Sequence, residues 1–162
     1  MWRGTLICST RRTISSGGGG VKREIMIATI KYKCGFKYQL YEDYSVDIDE
    51  YPDEEIYCGR YLHFSETGVL TIQNGYCWDG PSGPTIDTDN FMRGSLVHDA
   101  LYQIIRNECL PEDPWREIAD EELQRICLED GMSRFRAWYV YKSVRGFGGG
   151  AVHCPKEVLY AP

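Results

Sequence analysis

The hydrophobic pattern of the chain changes from strand-like to helical near residue 80. Residues 26–78 are rich in Ile, Val, Tyr and Phe with partial alternation, a pattern typical of β-strands. Residues 90–145 carry apolar side chains at helical spacing in three successive segments. Because the strands precede the helices instead of alternating with them, the sequence predicts an α+β fold. Antiparallel N-terminal β-strands should form a small sheet, followed by three α-helices, in a single domain.

Turn and cap residues mark the expected boundaries of these elements. Glu66-Thr67-Gly68 and Asn74-Gly75 are expected hairpin turns, because glycine adopts the positive φ that such turns require. Asp113-Pro114 opens the second helix and Gly131 ends it. The first helix is expected at about 90–107 behind Thr88 or Asp89, and the third at about 134–145 behind Ser133.

We expect the folded domain to span residues 26–150. Residues 1–20 lack the apolar core of a signal peptide, and they end in four consecutive glycines directly before Val21. Because glycine codons begin with GG, a run of glycines can be a translated ribosome-binding sequence. Valine can be encoded by GTG, which is also an alternative start codon. We therefore expect residues 1–25 to be a disordered or wrongly assigned extension, with translation starting at Val21 or Met26. Residues 151–162 are expected to form an irregular tail.

Composition and charge argue against several classes of protein. The net charge of −6 disfavours nucleic acid as a partner, because phosphate backbones are bound by clustered Lys and Arg. No run approaches the roughly 18 consecutive apolar residues that a membrane-spanning helix needs. The seven cysteines are widely spaced without a C-x-x-C pair. This spacing is typical of reduced thiols in a reducing compartment, not of zinc sites or a disulfide framework.

Residues 74–102 concentrate most of the side chains that can perform chemistry. A loop rich in Gly, Pro and Asp leads into a helix that carries His98-Asp99 and Tyr102. His98 and Tyr102 are four residues apart and share a helix face, whereas Asp99 points about 100° away. Helices joined by a short connection usually pack antiparallel, so Asp120 of the next helix is expected to approach His98. A carboxylate there would hold the imidazole in one tautomer and stabilise its cation.

This stretch resembles the active site of the secreted phospholipases A2. That family joins a Gly-rich calcium loop and a G-x-P-x-D-x-x-D segment to a helix with H-D-x-C-Y. An Asp on an antiparallel helix orients its His. Here residues 83–89 and 98–102 echo the loop and the helix, and Asp120 echoes the orienting acid. The departures are Asp79 and Pro81 within the glycine loop, and the absence of that family's cysteines from the helix.

The resemblance implies a calcium-assisted hydrolase that acts on a lipid or another ester. His98 would deprotonate a water molecule, with Asp120 orienting the imidazole and Tyr102 beside it. Independently of this resemblance, helical spacing places Arg116 four residues before Asp120 on the same helix, where it would support this acid. The calcium ion would stabilise the oxyanion of the reaction. Its expected ligands are carboxylate and carbonyl oxygens of Trp78, Asp79, Gly80, Gly83 and Asp99.

A wider resemblance covers most of residues 40–150. The chain is similar to a family of proteins from phages, prophages and bacteria that is catalogued as a domain of unknown function. The family motifs are G-[FY]-x-x-D-[GF]-x-S-x-P, H-D-x-L-Y, R-x-x-x-D and V-R-x-[FG]-G. They match residues 75–84, 98–102, 116–120 and 144–148. This likeness implies a phage or prophage protein, located in the bacterial cytoplasm or in a virion, and brings no activity with it.

Three other interpretations stay open. His98, Asp99, Arg116 and Asp120 can form a buried network that fixes the fold of a non-enzymatic phage accessory protein. The HD phosphohydrolases bind metals through H…HD…D, and His63 would supply the first His, although it lies in a strand-like segment and that fold is helical. Cys77 and His98 would be a nucleophilic pair. The sequence indicates no particular protein partner.

Overall fold

The computed structural model describes residues 32–34, 38–80 and 88–152. The predicted extension 1–25, the candidate ligand Gly83 and residues 153–162 of the predicted tail lie outside these ranges. The strands precede the helices, so the predicted α+β fold is confirmed as antiparallel strands followed by three helices in a single domain. A single-turn helix, α4 (Gly149–Val152), follows the third helix.

The strands of the described residues form two antiparallel sheets, where the sequence predicted one. The strands are β1 (Tyr32–Cys34), β2 (Tyr38–Leu40), β3 (Tyr44–Asp47), β4 (Ile56–Cys58), β5 (Leu62–Phe64), β6 (Val69–Ile72) and β7 (Cys77–Trp78). The smaller sheet has the order β1-β2-β7 and the larger sheet the order β3-β6-β5-β4. Composition identifies strands, but it does not say which strands pair, and this explains the difference.

The two glycine turns therefore have different roles. Gly68 has a φ of +87° and closes the predicted hairpin between β5 and β6. Gly75 has a φ of +93°, but the strands on either side of it, β6 and β7, belong to different sheets. The hairpin predicted at Asn74-Gly75 is wrong. This turn leads the chain from one sheet to the other, and Asn74 holds it by donating to the carbonyl of Tyr41 at 2.6 Å and to Asp43 at 2.7 Å.

The helices lie close to their predicted positions. They are α1 (Asp89–Arg106), α2 (Glu112–Glu129) and α3 (Arg134–Phe147). Asp113 has an extended backbone within α2, so that the regular helix starts at Pro114 as predicted, and Gly131 follows its end with a φ of +84°. Among the residues described, no helix is both long and apolar enough to cross a bilayer.

The caps of α1 and α3 differ. Ser133 accepts a hydrogen bond from the backbone amide of Arg136 at 3.4 Å and caps α3 as predicted. Thr88 precedes α1, but its side chain accepts no hydrogen bond from the helix; its hydroxyl donates to the side chain of Asn90 at 2.7 Å. The predicted Thr88 cap is therefore wrong. Asp89, the predicted alternative cap, is already the first residue of the helix. Helix α3 continues to Phe147, beyond its predicted end at residue 145.

The core lies where the larger sheet meets α1 and the start of α2. Phe64, Leu70 and Ile72 of the sheet are fully buried, as are Leu96 and Leu101 of α1, and all five belong to one apolar cluster. The rings of Trp115, at the start of α2, and Phe64 meet nearly at right angles, with the centroids 5.5 Å apart. A second, smaller cluster joins the three helices through Phe91, Leu123, Cys127, Met132, Ala137 and Val140.

Helices α1 and α2 pack antiparallel and very closely. Arg93 of α1 pairs with Asp130 at 2.9 Å near the end of α2, and His98, further along α1, meets Asp120, earlier in α2. Gly94 makes the close approach possible. A Cβ atom at this position would lie 2.9 Å from the Cys127 sulfur and 3.2 Å from the Leu123 carbonyl oxygen. The glycine thus brings the backbone of α2 near the face of α1 that carries His98.

Candidate functional site

The central contact of the site joins His98 to Asp120. His98 Nε2 lies 2.9 Å from Asp120 Oδ1, the contact that helical spacing and antiparallel packing predict. Asp120 is fully buried, and the His98 side chain is 11% exposed. A buried charge is tolerated when it is paired and hydrogen-bonded, so the location of Asp120 depends on its donors.

Asp120 has two further donors. The Tyr102 hydroxyl donates to Oδ1 at 2.8 Å, and its ring lies against the imidazole of His98 with the centroids 4.1 Å apart. Arg145 Nη1, from the last turn of α3, donates to Oδ2 at 3.3 Å. Side chains from α1 and α3 thus converge on one carboxylate of α2. Burial and the nearby charge of Asp120 raise the pKa of Tyr102, so its hydroxyl stays protonated as a donor.

His98 Nδ1 faces a second carboxylate. Asp99 Oδ1 lies 3.6 Å from this nitrogen, at ion-pair distance but too far for a hydrogen bond, and the Asp99 side chain is 28% exposed. Burial by itself lowers the pKa of His98. The hydrogen bond to Asp120 and the negative charges of Asp99 and Asp120 outweigh burial, so the pKa is raised above its ordinary value. The site therefore stabilises the imidazolium form relative to a histidine in water.

Arg116 lies beside this network and does not contact Asp120 directly. Its Nη2 donates to the backbone carbonyl of Arg145 at 2.9 Å, and its positive charge lowers the otherwise raised pKa of Tyr102. Among the residues that the structure describes, its buried Nε has no hydrogen-bond partner. Gly148 makes room here, because a Cβ atom at this position would lie 2.8 Å from the Tyr102 hydroxyl. Arg116 thus holds the end of α3, which presents Arg145 to Asp120.

The expected calcium ligands are only partly placed. Trp78 ends β7 with its ring buried, and its indole donates to Ser95 of α1 at 3.2 Å. Gly80 has a φ of +71° and packs so closely on the ring of Tyr38 that a Cβ atom would lie 2.4 Å from it. Asp79 lies between these residues. Across residues 32–34, 38–80 and 88–152, no group of three or more His, Cys, Asp or Glu side chains is arranged to hold a metal ion.

Two alternative sites lack the required partners. His63 lies on β5, where it pairs with Glu55 and stacks on Tyr57 with the ring centroids 4.5 Å apart. A strand position in a sheet does not fit the helical fold of the HD phosphohydrolases. Cys77 is exposed, and its thiol donates to the carbonyl of Gly75 at 3.5 Å, not to a histidine. Neither His63 nor Cys77 joins the network around Asp120.

Sequence reasoning about the site missed two residues of this region. Arg145 is the third donor to Asp120, and the only signal for it is its place in the segment 144–148. Tyr76 is buried, and burial together with the negative charge of Asp99 raises its pKa. Its signal is its place directly after Gly75 in the loop motif. Comparison of the chain with protein-family models, with curated proteins and with solved structures finds no match.

Proposed function

We propose that the protein is a hydrolase of a lipid or another ester, in which His98 is the general base and Asp120 orients it. The observation that supports this proposal best is the 2.9 Å contact between His98 Nε2 and Asp120 Oδ1. The Asp120 carboxylate is held in place by two further donors, Tyr102 and Arg145. A buried acid on one ring nitrogen selects the tautomer and leaves the other nitrogen as the base.

The nitrogen that remains for proton transfer is Nδ1. It lies 3.6 Å from Asp99 Oδ1, and the Asp99 side chain is partly exposed to solvent. Because the pKa of His98 is raised, the neutral base is a minority form at low pH. The rate of hydrolysis should therefore increase as the pH rises through the pKa of His98.

Calcium is the proposed cofactor of this reaction. Asp99 is the one carboxylate beside His98 that is partly open to solvent, and hard oxygen ligands suit Ca²⁺. No group of three or more His, Cys, Asp or Glu side chains among the described residues is arranged to hold a metal ion, so the remaining ligands would be Asp79 and the backbone oxygens of residues 78–83. When bound, the ion supplies positive charge for the oxyanion of ester hydrolysis.

The second candidate is a non-enzymatic accessory protein of a phage or prophage. The observation that favours it is that Asp120 is completely buried and accepts hydrogen bonds from three side chains of α1 and α3. A satisfied buried network of this kind can fix helix packing without any chemistry. In that case His98 joins the helices and has no substrate.

Release of fatty acid from mixed phospholipid vesicles, with Ca²⁺ and with a chelator, tests the two candidates. The hydrolase should release fatty acid with Ca²⁺, and His98→Gln should abolish the release while circular dichroism shows a folded protein. His63→Gln is the matched control, because His63 is a partly exposed histidine of the larger sheet. It should keep full activity. Absence of hydrolysis of any phospholipid or simple ester, with any divalent cation, would reject the hydrolase and favour the accessory protein.

A further inference from the structure

Helix α3 turns its large aromatic side chains to solvent and its small aliphatic side chains to the core. Ala137 and Val140 are buried, whereas Phe135, Trp138 and Tyr139 are 77%, 51% and 44% exposed. The three aromatic residues have i, i+3, i+4 spacing, so they share one face of the helix. A stripe of this kind normally faces a core. The described part of the chain leaves it open to solvent.

The same helix is basic within an acidic chain. Helix α3 contains Arg134, Arg136, Lys142 and Arg145 and no acidic residue, although the net charge of the protein is −6. Arg145 faces Asp120 and Glu117 on the inner side. Arg136 is half-buried over the ring of Phe91, with 6.0 Å between the guanidinium carbon and the ring centroid.

Arg134 and Lys142 remain on the outside of the helix. Both are exposed. Lys142 continues the aromatic spacing at i+7 from Phe135, and its Nζ lies 5.6 Å from the centre of the Tyr141 ring. Arg134 directly precedes Phe135, so it points about 100° away from that residue and lies at the margin of the aromatic face. We define the outer face of α3 as Arg134, Phe135, Trp138, Tyr139 and Lys142. It has an aromatic centre with a cation near each end.

Charge limits the occupants that this face can bind. Two copies of the chain joined through the outer face by a two-fold axis at its centre would place Arg134 of one copy near Lys142 of the other, and like charges there repel. A folded protein partner would need a groove to receive a convex helix with three projecting rings. An anionic lipid surface needs no groove, because its headgroups neutralise the cations while Trp and Tyr insert at the headgroup level.

We propose that the outer face of α3 binds the surface of a lipid bilayer that contains anionic headgroups. The aromatic rings enter the interface, and Arg134 and Lys142 pair with headgroup phosphates. This inference goes beyond the proposed hydrolysis, since binding requires neither His98 nor Asp120. Arg145 on the inner side of α3 contacts Asp120, so the helix that lies on the bilayer also reaches the candidate site.

Binding to vesicles of phosphatidylcholine alone, and of phosphatidylcholine with phosphatidylglycerol, tests this proposal. The chain has four tryptophans, and Trp2, which lies outside the described residues, is replaced by Phe in every protein used for the fluorescence measurement. Trp78 and Trp115 are buried, at 4% and 8% exposure, whereas Trp138 is half exposed. Anionic vesicles should shift the tryptophan emission to the blue, and the shift should disappear in Trp138→Phe. Co-sedimentation should weaken with added salt, and by about thirtyfold in Arg134→Gln/Lys142→Gln.

Two aromatic variants and one control complete the test. Trp138→Ser and, independently, Phe135→Ser should weaken co-sedimentation while keeping the melting temperature. Tyr41→Ser is the matched control, because Tyr41 is an aromatic residue of similar exposure (56%) outside α3, and it should bind like wild type. The proposal is overturned if the protein fails to sediment with anionic vesicles, or if it binds neutral vesicles as well and the double variant has no effect. It is also overturned if the protein binds polyglutamate but no vesicle, or if Trp138→Ser abolishes self-association in a protein that binds no vesicle.

Discussion

His98 and Asp120 are 22 residues apart in the sequence, and they meet at 2.9 Å between Nε2 and Oδ1 on two antiparallel helices. The contact is buried, and it is the point at which α1, α2 and α3 are joined. Tyr102 reaches the same carboxylate from α1 and Arg145 reaches it from α3. One acid therefore holds the three helices together and sets the protonation of the histidine, whichever role the protein has.

Replacing Asp120 by Asn should strongly destabilise the protein. The amide keeps the shape of the side chain but removes the charge that His98 and Arg145 require, and breaking a buried ion pair costs about 3–5 kcal/mol. We expect urea unfolding to show a loss of this size. Glu117→Gln is the control, because Glu117 is a 53% exposed acid of the same helix that also faces Arg145. It should change the free energy of unfolding by less than about 1 kcal/mol. Equal losses in the two variants would contradict the central role of Asp120.

The stability that His98 contributes should decrease as the pH rises. Its pKa is raised in the folded protein because Asp120 and Asp99 face the imidazole, so folding favours the protonated form. The contribution is complete below the ordinary pKa of about 6.5 and is lost as the pH rises through the raised pKa. The difference in unfolding free energy between wild type and His98→Gln should therefore be largest at low pH. If the difference in unfolding free energy between the two proteins instead increases between about pH 6 and 9, the predicted pH dependence has the wrong sign and the prediction is refuted.

The order of elements and the His98–Asp120 contact could be predicted from the sequence, for a local reason. Helical spacing places His98 and Tyr102 on one face, and a short connection sets the direction of α2. The pairing of strands could not be predicted, because Gly75 fixes a turn but does not choose the partner of β7. Arg145 was missed as a donor for a similar reason. Its approach to Asp120 depends on how the end of α3 packs against Arg116, which is a tertiary contact.

Gly94 should be a position where alanine destabilises the protein despite its higher helix propensity. A Cβ atom would lie 2.9 Å from the Cys127 sulfur and 3.1 Å from Leu123 Cδ1, so α1 and α2 would have to separate. Overpacking of this kind costs about 1–3 kcal/mol. Gly146→Ala in α3 is the matched control, because no atom lies within 4 Å of a Cβ at that position. It should stabilise the protein by about 0.5–1 kcal/mol.

The same two glycine variants should affect the site differently. Separation of α1 from α2 lengthens the contact between His98 and Asp120, so Gly94→Ala should lower the pKa of His98 in an NMR titration. Gly146→Ala should leave that pKa unchanged. If Gly94→Ala is as stable as wild type and the titration of His98 does not move, the close packing of the helices does not control the site.

Tyr102→Phe should raise the pKa of His98, opposite to the effect of Asp120→Asn. The hydroxyl donates to Asp120 Oδ1, the same oxygen that accepts from His98. Without this donor, that oxygen keeps more of its charge for the imidazolium, whereas Asn at position 120 removes the charge entirely. Stability should decrease by about 1 kcal/mol, the usual cost of one lost hydrogen bond. NMR titration of the His98 imidazole in the two variants measures both directions. A downward shift in Tyr102→Phe would mean that Tyr102 acts mainly through packing on the imidazole ring, with its hydrogen bond to Asp120 playing no part in the titration.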